Sequence, residues 1–138
     1  MMEEKSFGVI PVKIVNHSPT VLLVRLQAGH WGFPKGHPEK AESPLETAAR
    51  ELQEETGLSI SSWIDATAIQ EAYWYTRNHK KCFKTVDYFL AFVEGNVSLQ
   101  QEEIAEARWI SPKEAVSLLT FKEAKATARQ VLLRLSSL

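Results

Sequence analysis

Glu51, Glu54 and Glu55 crowd three carboxylates into five consecutive residues. On a helix turning about 100° per residue, positions i, i+3 and i+4 share one sector of the surface. Anions held there repel, and each pair disfavours the helix by roughly 0.2–0.5 kcal/mol. A group of hard oxygens at this spacing is what Mg²⁺ or Mn²⁺ requires; the alternative is a solvated acidic face. The wider segment GHPEKAESPLETAARELQEETGL (Gly36–Leu58) holds six glutamates against two basic side chains, Lys40 and Arg50. A Gly- and Pro-rich loop, FPKGHPE, runs directly into this helix, so backbone carbonyls can approach the same ions. Arg50 points to another side of the helix, where it can pair with Glu42 and brace the loop.

The elements that position these groups are marked by turn and cap chemistry. FGVIPVKIV (7–15) and TVLLVRL (20–26) are β-branched and apolar, and the polar cluster Asn16-His17-Ser18-Pro19 makes them a hairpin. AIQEAYWYTR and KTVDYFLAFVEG read as two further strands joined by Asn78-His79-Lys80-Lys81, and ARWI as a short one. Three S/T-x-x-E capping boxes announce helices at Ser43, Ser111 and Thr120. Pro44 and Pro112 stand at the first helical position, and Gly57 is placed to end the first helix in a left-handed turn. Leu45, Ala48, Ala49 and Leu52 share the face that meets the sheet. Ala124, Ala128, Val131, Leu132 and Leu135 form the apolar stripe of the last helix. The expected class is α+β: a mixed β-sheet between helices in an αβα sandwich.

Composition narrows the function. The 138 residues carry a formal charge of −1 and are 44% apolar, which suits one globular domain over 1–138 and excludes a basic coat for nucleic acid. A single cysteine, Cys82, rules out an internal disulfide. The N-terminus lacks a basic region followed by a long apolar run, and no window approaches the length of a membrane span. A cytoplasmic protein without a membrane or obligate protein partner is expected.

Gly36, Glu42 and Arg50-Glu51-Leu52-Gln53-Glu54-Glu55-Thr56-Gly57-Leu58 match G-x5-E-x7-R-E-U-x-E-E-x-G-U, where U is a bulky aliphatic residue. The segment resembles the Nudix box at every specified position. The resemblance implies the Nudix fold and Mg²⁺- or Mn²⁺-dependent hydrolysis of a nucleoside diphosphate linked to another group. It implies that Glu51, Glu54 and Glu55 hold the ions, helped by the carbonyl of Gly36, and that Glu42 and Arg50 are structural. The base is one of these glutamates or an acid from a later loop. A family glutamate about six residues before the Trp of a late strand selects Glu103 for that loop, a residue implied to serve in metal binding and catalysis.

His30-Trp31-Gly32-Phe33-Pro34-Lys35-Gly36-His37, Lys84-Thr85-Val86 and Phe121-Lys122-Glu123 resemble one Nudix subgroup, the asymmetric diadenosine tetraphosphate hydrolases. By that resemblance water attacks a chain of four phosphates to release ATP and AMP. His30, Lys35 and Lys84 then contact phosphates, while one aromatic of the Trp74–Tyr75 pair and Phe121 hold an adenine. The sequence departs from the subgroup at Lys40-Ala41-Glu42, where Pro-Gly-Glu is frequent. Trp-Gly-Phe-Pro-Lys-Gly also resembles Nudix enzymes that act on the 5′ end of RNA. That leaves an RNA 5′-pyrophosphohydrolase or a (d)NTP pyrophosphohydrolase as alternatives. A non-catalytic nucleotide-binding module is a third class, but such modules usually lose a box glutamate and this chain keeps all of them.

Overall fold

The computed structural model describes residues 2–138. In chain order the elements are β1 (Met2–Val15), β2 (Ser18–Leu26), β3 (Trp31–Gly32), β4 (Lys35–Gly36), α1 (Pro44–Thr56), β5 (Ser59–Trp63), β6 (Ile69–Arg77), β7 (Lys80–Glu94), β8 (Ile104–Ile110), α2 (Pro112–Leu118) and α3 (Lys122–Leu135).

Two tight hairpins set the registers. Asn16 and His17 both adopt positive φ, 50° and 67°, as do Asn78 and His79 at 52° and 64°. Paired left-handed residues match the twist of the flanking strands, and Asn tolerates that conformation better than most residues. The connectors are therefore two residues long rather than the four expected from composition. The strands run correspondingly further: β2 begins at Ser18, and β7 at Lys80. β1 also starts five residues before the apolar run, and β5 is a strand the polar sequence SISSW did not announce.

β1 and β7 form the centre of the sheet as a parallel pair, from Met2 opposite Cys82 to Val12 opposite Phe92. The free edge of β1 is shared: Val12–Val15 pair with β2, and Phe7–Gly8 pair with β4. The free edge of β7 is shared likewise, between β6 and β5. β2 carries β8 and β3.

Successive residues of a strand face opposite ways, and Val9 and Ile10 accordingly enter different cores. Val9, Leu22, Phe89 and Ala91 pack against Ala48 and Leu52 of α1. Ile10, Val12, Val86 and Leu90 pack against Ala115 of α2 and Ala128, Val131 and Leu135 of α3. Full burial of a side chain such as Leu52 contributes about 1.5–3 kcal/mol. The result is the expected mixed sheet between helices. Cys82 is buried within β7 rather than lying beside a loop.

The caps explain where each helix starts. The Ser43 hydroxyl accepts from Glu46 N at 3.2 Å, and the Glu46 carboxylate accepts from Ser43 N at 2.9 Å, completing the box. Ser111 accepts from Glu114 N at 3.1 Å, but its own hydroxyl takes up the Glu114 carboxylate, so only half of that box forms. The third expectation fails. α3 is capped by Phe121 with no side-chain bond, because the Thr120 hydroxyl instead accepts from Trp31 N at 2.8 Å. The α3 stripe is also corrected: Leu132 is 37% exposed, and buried Thr127 takes part in the inner face. No helix among the described residues is long and apolar enough to cross a membrane.

Candidate active site

α1 delivers its acids through a fixed start and stop. Gly57 ends the helix at φ 79°, and its N–H reaches Gln53 O at 2.9 Å. Between the caps, Leu52 is buried in the core while Glu51, Glu54 and Glu55 occupy a different sector, Glu55 being only 5% exposed. Burial, with the Glu51 carboxylate beside it, pushes the Glu55 carboxyl up to about 9. Glu55 therefore carries a proton at neutral pH when protein groups alone surround it.

Arg50 organises the loop before the helix. Its Nε meets Glu42 Oε2 at 2.7 Å and its Nη2 meets Glu42 Oε1 at 3.1 Å, a two-point pairing that holds Glu42 down to about 2. The same Nη2 donates to His37 O at 2.9 Å. Nη1 turns inward to Glu51 at 3.0 Å and Glu54 at 3.1 Å. The sequence placed Arg50 on a separate side; its reach lets one guanidinium serve both the loop and two box carboxylates.

Gly36 lies so close to the Glu51 carboxylate that a Cβ at this position would collide with it. Glu103 arrives from the loop before β8. That loop is tied to the end of α1 by Ser98 N to Thr56 O at 2.8 Å and Gln100 N to Glu55 O at 3.1 Å. Glu51, Glu54, Glu55 and Glu103 thus line one hollow of about 450 Å³. Among the described residues no three His, Cys, Asp or Glu side chains form a ready-made ligand set, and Arg50 engages both Glu51 and Glu54. The donor chemistry nevertheless fits a hard divalent cation: clustered carboxylates, a glycine pressed against one of them, and one carboxyl raised by burial and by the Glu51 carboxylate beside it.

Lys35 and Lys84 line the same hollow. Burial and the charge of Lys35 pull the Lys84 ammonium down from its ordinary range. Glu4 stands beside them. Its carboxylate accepts from the Tyr75 hydroxyl and from Arg77, and lies 4.0 Å from Lys84 Nζ and 3.5 Å from His37 Nε2. The bond to Glu4 pushes the Tyr75 phenol up to about 12. Tyr73, Tyr75 and buried Glu71 alternate along one face of β6, and Glu71 accepts from Thr127 at 2.8 Å. Trp74 projects from the other face, 57% exposed, with its ring 4.9 Å from that of Phe83. Of the Trp74–Tyr75 pair, only Tyr75 is directed toward Lys84. His30 and the exposed Phe121 form a ring pair at 5.1 Å, and burial with nearby Lys35 lowers the His30 imidazole.

Glu4, Ser6 and Glu71 were not singled out by the sequence. Glu4 and Ser6 precede the apolar run that marks β1 in the sequence. The available signal was their two-residue spacing with Gly8, which puts all three on one strand face.

The NUDIX domain family matches residues 4–135. The chain is 39% identical over 123 residues to the asymmetrical bis(5′-nucleosyl)-tetraphosphatase of Rattus norvegicus, covering 86% of this chain and 82% of that protein. The Mus musculus protein of the same name is 38% identical over 122 residues, with the same coverage. Among solved structures, a C. elegans Ap4A hydrolase binary complex superposes with a TM-score of 0.76 at 20% identity, covering 98% of this chain and 99% of that one, a likeness of fold. The chain belongs to the NUDIX domain family and is by class a Nudix hydrolase.

Proposed function

We propose that the protein hydrolyses dinucleoside polyphosphates asymmetrically, with diadenosine tetraphosphate giving ATP and AMP. The observation that carries this reading is one hollow with five carboxylates, four of them Glu51, Glu54, Glu55 and Glu103, and two lysines on its walls. Identity to the rat and mouse tetraphosphatases supports the choice of substrate.

Glu51, Glu54, Glu55 and Glu103, with the Gly36 carbonyl, would hold Mg²⁺ or Mn²⁺. Bound there, the ions supply neutralisation of phosphate charge and a lower pKa for coordinated water. Lys35 and Lys84, joined by His30, hold non-bridging phosphate oxygens and orient the chain. Water attacks a phosphorus atom, the bridging P–O bond breaks toward the ATP leaving group, and a carboxylate accepts the proton. Glu51, Glu54 and Glu103 are the candidates for that base. Tyr75 and Phe121 present aromatic faces to an adenine. Glu42, Arg50 and Gly57 shape the loop and helix behind these groups.

A second reading is hydrolysis at an RNA 5′ end. Exposed Trp74, beside Lys80 and Lys81 on a separate hollow, favours it, because a ring with neighbouring cations suits a single strand. Incubation with diadenosine tetraphosphate and Mg²⁺ in ¹⁸O-water separates the cases. ATP plus AMP is expected; two molecules of ADP reject the asymmetric assignment. No turnover, with pyrophosphate released from triphosphorylated RNA, establishes the second reading. Glu54→Gln is expected to abolish turnover while circular dichroism stays unchanged.

A further inference from the structure

We propose that Ser6 contacts the substrate, its hydroxyl donating a hydrogen bond to a non-bridging oxygen of the phosphate chain. This rests on the polyphosphate reading above and extends it to a residue outside the box.

Ser6 is only 1% exposed. Among the described residues its Oγ is the one buried side-chain nitrogen or oxygen with no hydrogen-bond partner. A buried hydroxyl without a partner loses its hydration and gains nothing in return, so such groups are rare and call for a cause. The cause lies in its surroundings. Ser6 lines the hollow that Lys35, Gly36, Glu51, Glu55 and Lys84 also line. Its place is rigid: it sits in the centre of the sheet, opposite Val86 in the parallel pair, with the pairing of Phe7 and Gly36 beginning at the next residue. A serine hydroxyl rotates to direct its proton toward whichever acceptor arrives. Lys35 and Lys84 draw an anion into the same hollow, so the arriving acceptor is an anionic oxygen. The side chain is short and lines the hollow, whereas Tyr75 and Phe121, the rings proposed for the base, do not. Ser6 therefore reads the phosphate chain and is indifferent to the base.

The test uses the full chain and two variants, Ser6→Ala and Ser6→Cys, which preserve size while removing or weakening the donor. With Mg²⁺ present, affinity for inorganic tripolyphosphate is measured by calorimetry. kcat/KM is measured for diadenosine and diguanosine tetraphosphates. The expected losses in Ser6→Ala are on the order of 10- to 100-fold in affinity and in kcat/KM, equal for the two bases. The thermal midpoint without ligand should stay the same or rise, because an unpaired buried hydroxyl has been removed. Unchanged affinity and kinetics overturn the proposal, as does a lowered midpoint with normal affinity, which marks a hydroxyl serving the fold. A loss confined to the adenine substrate also overturns it. If the unaltered protein neither binds tripolyphosphate nor cleaves either dinucleotide, the polyphosphate reading itself fails.

Discussion

At the scale of single residues, the site is a set of charges arranged to need a partner. Glu55 shows this best, because burial and Glu51 hold its carboxyl up at about 9. A carboxyl raised in the folded state stabilises the fold most below its unfolded pKa, and that contribution is lost as pH climbs through the folded value. In a chelator, thermal stability should therefore fall steadily between about pH 5 and pH 9. A divalent cation needs the ionised form, so its binding at pH 7 should release a proton. Calorimetry in buffers of different ionisation enthalpy reads that proton directly; an unchanged heat across buffers would reject the assignment. Gly36 makes a second case. Gly36→Ala forces the Glu51 carboxylate or β4 to shift. A displacement of this kind is expected to cost about 100-fold in kcat/KM with little change in folding.

At the scale of elements, the helix end matters as much as the acids on it. Gly57 has positive φ, and a Cβ there would stand 3.1 Å from Ser98 in the loop leading to Glu103. Gly57→Ala should cost about 1 kcal/mol in denaturant unfolding, and it should also depress turnover by loosening the loop. A variant that loses stability alone would show that loop and helix end are uncoupled. This element also shows what a sequence can and cannot reveal. The span of α1 was legible because Ser43, Pro44 and Gly57 each satisfy a local backbone demand. The Thr120 cap was misread because its hydroxyl is claimed by Trp31 N, a partner 89 residues away. β5 stayed hidden because its pairing with β7, rather than its own polar residues, makes it a strand. In the site, the acids of α1 were evident from helical spacing. Ser6 and Glu4 were not, since their meaning comes from β4, β6 and β7 folding around them.

At the scale of the molecule, two cores on opposite faces share one sheet, and α1 stands on the first while α2 and α3 stand on the second. Alternate residues of β1 and β7 enter each core, so neither face can melt alone without disturbing the other. Leu52→Ala in the first core and Leu135→Ala in the second should each cost about 2–5 kcal/mol. Both should move a single transition that looks the same by fluorescence and by circular dichroism. Two separated transitions would mean that the faces unfold independently.

The parallel pairing of β1 with β7 has a consequence for how the chain is made. Val9 finds its partner in Phe89, more than half the chain away. On a ribosome adding about 5–20 residues per second, β1 emerges several seconds before β7 exists to receive it. Its apolar run, Val9 to Val12, must wait in the open or in the keeping of a chaperone. Folding ordered by such distant contacts is slow, and nascent chains arrested before β7 should be the ones that aggregate.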